Sequence, residues 1–159
     1  MPILTLDLED DYALIGIHST EEDYRMAFLL NKHLNTRLTR FKHALDFKDS
    51  TAEFPLFEYK DVKNYINYYL INNQHLQHIN NPNSTVLFED ENTVTYLIPE
   101  KKNIDFFLKI EGCNDAKVIE KLVEKLNKIE QIITSYSLDP ASLKSKDCAQ
   151  TKALYSPNE

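Results

Sequence analysis

Apolar and polar positions recur along this chain with two periods, and the switches between them outline its elements. Tyr12–Ala13–Leu14–Ile15–Gly16–Ile17–His18 is a short, apolar, β-branched run and reads as a strand. A helix start follows, because Ser19 with Glu22, or Thr20 with Asp23, has capping-box spacing. The helix runs to about Leu34, with Tyr24, Ala27, Phe28, Leu30 and Leu34 as its apolar stripe and Asn35 as its stop. Leu38 to His43 alternates and predicts a strand, and Asp46 to Glu53 reads as a loop. Phe54–Tyr59 and Asn64–Ile71 predict a hairpin turned at Lys60 and Asp61, with Pro55 marking a strand start or an edge.

Asn72 to Thr85 is rich in Asn, Gln and His, and its composition favours a surface loop. Val86–Phe88 is a possible short strand. Val94–Ile98 and Ile104–Ile110 predict two strands joined as a hairpin by Pro99 to Asn103. After Gly112, Asn114 caps a second helix, whose buried face is Val118, Ile119, Leu122, Val123 and Leu126. Ile129 to Leu138 predicts a last strand, and Asp139–Pro140 starts one short turn.

This order predicts an α+β fold. Most connections are too short for a parallel crossover, so the sheet is largely antiparallel, with two amphipathic helices packed on one face. The other face is then solvated, covered by loops, or buried on a partner. One domain spans 1–145, and 146–159 is a polar tail expected to be disordered.

Composition narrows the function. The chain has 159 residues, 42% of them apolar, which suits one domain with a filled core. Its net charge of −7 argues against general attraction to nucleic acid or anionic lipid. A local basic patch at Lys42, His43 and Lys48, or at Arg37 and Arg40, stays open. No apolar run reaches the roughly 20 residues of a membrane span, and Met1 to Asp11 lacks the pattern of a signal peptide. The expected compartment is the cytoplasm, where Cys113 and Cys148 would be free thiols.

Candidate chemistry is sparse. With only Gly16 and Gly112, neither a G-x-G-x-x-G nor a Walker pattern is possible. His75 and His78 sit three apart but lack companions for a closed metal site, so no metal or cofactor is expected. His18 stands near Asp23 and Arg25, which allows a His18–Asp23 contact or an ordinary surface ion pair. Cys113 precedes a helix start, where the dipole lowers a thiol pKa, but no partner base is near in sequence. Tyr59, Tyr65, Tyr68, Tyr69 and Tyr96 form an aromatic group over three predicted strands, suited to a protein interface or to base stacking.

One segment carries a resemblance. Ile98–Pro99–Glu100, three spacers, then Ile104–Asp105–Phe106 is similar to the signature of the IPExxxVDY family of small bacterial proteins. Ile104 stands for valine and Phe106 for tyrosine, so a shared role would not need a phenolic hydroxyl at 106. The resemblance implies no activity. Within the motif, Pro99, Glu100 and Asp105 read as turn architecture, with a carboxylate pair of Glu100 and Asp105 as the alternative. The leading expectation is a non-enzymatic interaction module, a homodimer or an adaptor. Behind it stand a small enzyme or ligand-binding protein using Glu100 and Asp105, and then weak RNA binding through the tyrosines.

Overall fold

The computed structural model describes residues 12–40, 56–79, 91–113 and 115–140, and only the backbone at 45–47, 50–54, 75–79 and 91–95. Its centre is a six-stranded antiparallel sheet. The strands are β1 (Tyr12–His18), β2 (Thr39–Arg40), β5 (Leu56–Asp61), β6 (Ile66–Asn72), β9 (Phe106–Glu111) and β10 (Thr134–Leu138). They lie in the order β10-β1-β9-β6-β5-β2. Two further ladders join β3 (Leu45–Phe47) to β4 (Ser50–Phe54), and β7 (Gln74–Ile79) to β8 (Glu91–Tyr96). Helices α1 (Asp23–Leu34) and α2 (Ala116–Asn127) complete an α+β fold, as expected.

Side chains alternate across each strand. On β9, Phe106, Leu108 and Ile110 enter a core with Ile15 and Ile17 of β1, Leu30 of α1 and Leu126 of α2. Phe107 enters a second core with Leu14, Ile71, Leu97, Ile98 and Ile104. The helices therefore share one face. The segment Leu97–Ile104 covers part of the other, so a loop supplies the cover there. A strand covered on both faces loses its polar alternation, which explains the near-continuous apolar run of β9.

Helix α1 buries Met26, Ala27, Leu29 and Leu30, while Tyr24 and Phe28 stand exposed. The expected stripe mixed two opposite faces, since three- and four-residue steps fit both. Its N-cap is Glu22, with no side-chain cap. Ser19 does not cap the helix by the expected box. Its Oγ accepts from Glu21 N (3.1 Å) and donates to the Gln131 carbonyl (2.7 Å). Helix α2 is capped by Asp115, which accepts from Lys117 N at 2.9 Å. The cap expected at Asn114 falls on a residue outside those described.

The strand expected after Leu38 pairs with β5 at Thr39 and Arg40, and 41–44 lie outside the described residues. Four other expectations change. The expected loop Asp46–Glu53 contributes to the β3–β4 ladder. The expected strand Asn64–Ile71 begins at Ile66, and Val62 to Tyr65 form the turn. The Asn- and Gln-rich loop contains β7, paired with β8 from Gln74–Tyr96 to Ile79–Glu91. The predicted last strand is shorter, because Ile129 and Ile132 turn inward before β10 begins. Val86–Phe88 and the tail from 141 onward lie outside the described residues.

The β10 edge of the main sheet is blunted, as exposed strand edges generally are. At the β10 edge, the Asn127 side chain replaces a neighbouring strand. Its Oδ1 accepts from Ser135 N (2.7 Å), and its Nδ2 donates to the Ser135 carbonyl (3.2 Å). No helix among the described residues is long and apolar enough to cross a membrane.

Candidate functional site

The Pro99–Glu100 and Asp105 segment is not a hairpin. Strand β8 pairs with β7, whereas β9 lies between β1 and β6. A 3-10 turn over Pro99–Lys101 carries the chain from the small ladder to the main sheet. Asn73, fully buried at the β6–β7 junction, fastens this crossing. Its Nδ2 donates to the carbonyls of Lys101 (3.0 Å) and Ile104 (2.9 Å), and its Oδ1 accepts from Ile98 N (2.8 Å). Its backbone N–H donates to the Asp105 carbonyl (2.9 Å), and its carbonyl accepts from Leu97 N (2.8 Å). The amide thus satisfies main-chain groups on both sides of the motif.

Asp105 is engaged as well. One carboxylate oxygen accepts from Ser19 N at 2.9 Å and the other from Gln74 Nε2 at 3.5 Å. Pro99 and Glu100 are exposed on the turn. The geometry is that of turn architecture. His18 shares a hydrogen bond with the Tyr136 hydroxyl (3.0 Å), not with Asp23. Asp23 accepts from Tyr24 N, and Arg25 pairs with Glu21 at 3.3 Å along the helix. The three residues singled out at the start of α1 do not converge.

The tyrosines divide between faces. Tyr59 and Tyr68 stack on the helix side, with ring centroids 5.7 Å apart. Tyr69 lies in the second core, and Tyr96 carries the Lys102 ammonium 5.6 Å above its ring. Tyr65 is in a turn, not a strand. No single aromatic patch joins all five. His75 and His78 fall on strand β7, so the helical spacing that would pair them is lost. Among the described residues, no group of three or more His, Cys, Asp or Glu side chains is placed to hold a metal ion.

Sequence reading missed Lys109. It lies mid-strand on β9 with 1% of its surface exposed. Its Nζ meets Glu111 Oε1 at 2.8 Å and lies 4.9 Å and 5.4 Å from the ring centres of Tyr12 and Tyr69. Burial pulls its pKa down to about 8, against the opposing pull of Glu111. The same burial raises the Tyr69 hydroxyl. A lone polar letter at an inward position of an apolar strand was the available signal. The amine is enclosed by partners from within the sheet.

The most exposed large apolar side chains among the described residues lie at the other end of the sheet. The β5–β6 turn presents Val62 and Tyr65, 79% and 85% exposed. Tyr65 has φ of 58°, a left-handed conformation unusual for a bulky side chain. Its carbonyl presses on Gly112, where a Cβ would come within 2.3 Å of that oxygen. Gly112 is itself at φ +89°, so glycine is required there twice over. Directly beneath, Ile66, Tyr68 and Cys113 line a cleft of about 270 Å³ between the sheet, the end of α1 and the first turns of α2. Leu34, Ile119 and Leu122 supply apolar walls. Burial, then the charge of Asp61, raises the Tyr68 hydroxyl, so it stays protonated at neutral pH. The Cys113 thiol is free and half-buried.

Comparison of the chain with protein-family models, with curated proteins and with solved structures found no match to any of them.

Proposed function

We propose that this chain is a non-enzymatic interaction module, and that the Val62–Tyr65 turn is the surface it offers to a protein partner. The observation that carries this reading is Tyr65 itself. A bulky residue held at φ 58° carries a backbone cost of order 1–3 kcal/mol, and such strain clusters at binding sites and switches. Here the strained residue buries almost nothing of its own, being 85% exposed. Tyrosine is also a residue that interfaces favour. The engaged state of Asp105, His18 and Lys109 supports a role without catalysis. The Asn127 cap on β10 disfavours assembly by strand addition at that edge.

We also read the chain as a member of the IPExxxVDY family. That reading rests on the motif from Ile98 to Phe106, which the Asn73 clasp gives a physical purpose.

The test is affinity purification of the tagged chain from its own cells, beside a Val62→Ser/Tyr65→Asn variant. The expected result is a stoichiometric protein partner with the wild type and its loss with the variant. Recovery of the wild-type chain alone, or equal recovery of the partner by both, overturns the reading.

A further inference from the structure

The cleft below the turn has a charge character of its own. In a chain of net charge −7, the charged side chains lining it among the described residues are Lys121 and Lys125, both cationic and one helical turn apart. Both are exposed at its rim, and neither joins an ion pair among the described residues. The acidic residues of α2 do not line it, since Glu120 flanks a separate groove by Tyr136 and Ser137. Asp61, which acts on Tyr68 from outside the lining, has its carboxylate held by Asn64 at 2.7 Å. Inside the rim the walls are largely apolar, with Tyr68, Cys113 and Thr36 as polar points, the Thr36 hydroxyl donating to Asn31 Oδ1. The volume, about 270 Å³, lies below the roughly 300–1,000 Å³ of sites for drug-sized ligands. Apolar walls beneath two unpaired ammonium groups match a small molecule with an apolar tail and one negative head.

We propose that this cleft binds a medium-chain aliphatic carboxylate, its tail among Leu34, Ile66, Ile119 and Leu122 and its head between Lys121 and Lys125. This goes beyond the partner reading and does not rest on it, because the tail would lie beneath the turn and not on it.

Cys113, in the wall, reports occupancy in the full chain. The probe is octanoate, and the readout is the rate of iodoacetamide alkylation at Cys113 and at Cys148, resolved by peptide mass. At about ten times its dissociation constant, octanoate slows Cys113 by about tenfold, since only the unliganded fraction reacts. Cys148 keeps its rate. Octylammonium and acetate give no protection, and octanol gives much less than octanoate. A Lys121→Glu/Lys125→Glu variant, whose changes are at exposed helix positions, keeps its circular dichroism and loses the protection. No slowing by octanoate, equal slowing by octanol, or full protection in the charge-reversed variant overturns the proposal. The Val62→Ser/Tyr65→Asn variant keeps octanoate protection even where it loses a protein partner, which separates the two readings.

Discussion

At the end of the β6–β9 ladder where Asn72 faces Phe106, main-chain groups around the crossing meet Asn73 or Asp105. At the end where Asn67 faces Glu111, the chain bends through two left-handed residues, Tyr65 and Gly112, and leaves large apolar side chains in water. The first end carries the motif and spends its polar groups on architecture. The second carries no motif and holds the exposed aromatic, the cleft and the thiol. Polar residues at a sheet end do not by themselves mark a site; what matters is whether the fold already engages them. A buried amide with its partners filled rigidifies, while strain without burial needs another explanation.

The sharpest way to break this contrast is at the clasp. Asn73→Ala removes three side-chain hydrogen bonds and strands Ile98 N–H and the Ile104 carbonyl in a buried site, while the Lys101 carbonyl keeps the Ile104 N–H. Each stranded group costs roughly 1–3 kcal/mol, so a loss of about 4 kcal/mol is expected in urea unfolding. A loss under about 1 kcal/mol would mean that water replaces the amide and that the end is not closed.

Lys109, between the two ends, tests whether burial or pairing rules the sheet's second face. Its folded pKa of about 8 lies below the unfolded 10.5, so the unfolded chain holds more protons between those values. Stability therefore rises with pH from about 8 toward 10, by up to about 3 kcal/mol from this group. Above pH 10 the raised Tyr69 acts oppositely, because the unfolded tyrosine loses its proton first. Lys109→Met should flatten the rise between pH 8 and 10, read from urea midpoints across pH. A wild-type curve with no rise there would mean that the ion pair with Glu111 outweighs desolvation.

The antiparallel sheet and the presence of both helices were legible from apolar periods, although the buried face of α1 was not, because Tyr24 and Phe28 fit the same steps as the residues that are buried. The Asn73 clasp was not legible either. A buried Asn in an Asn- and Gln-rich stretch has the same letters as a loop, and its partners lie 25 to 31 positions away. The hairpin expected at Pro99 failed for a related reason. Two strands and a short turn look alike in sequence whether they pair with each other or with different neighbours. The cleft was illegible for want of any motif, since its walls come from α1, β6, β9 and α2. Gly112, Cys113 and Tyr68 were each noted in advance, but not as neighbours around one cleft.

At the open end, Gly112→Ala puts a methyl group against the Tyr65 carbonyl and asks an L-residue to hold φ +89°. Substitution where the native conformation is incompatible costs more than the usual glycine-to-alanine gain, and about 2 kcal/mol is expected. Because the carbonyl belongs to backbone, the turn must move, so the variant should also change the Cys113 alkylation rate. Alanine tolerated at under about 0.5 kcal/mol would mean that the turn is soft and its shape unspecified.

The smallest effect separates strain from purpose. Tyr65→Asn keeps a side chain that tolerates the left-handed region and removes the exposed ring. The tyrosine buries little there, so almost no packing is lost, and part of the backbone cost is relieved. Stability should rise by about 0.5–1 kcal/mol in urea unfolding. Val62→Ser, in the same turn with ordinary backbone geometry, should leave stability within about 0.5 kcal/mol. A gain confined to position 65 would mean that the chain keeps a less stable residue where a better one fits, as expected where the exposed ring is used for binding. A loss of stability on removing the ring would mean that Tyr65 is held by contacts of its own, and the difference between the two ends would then be one of degree.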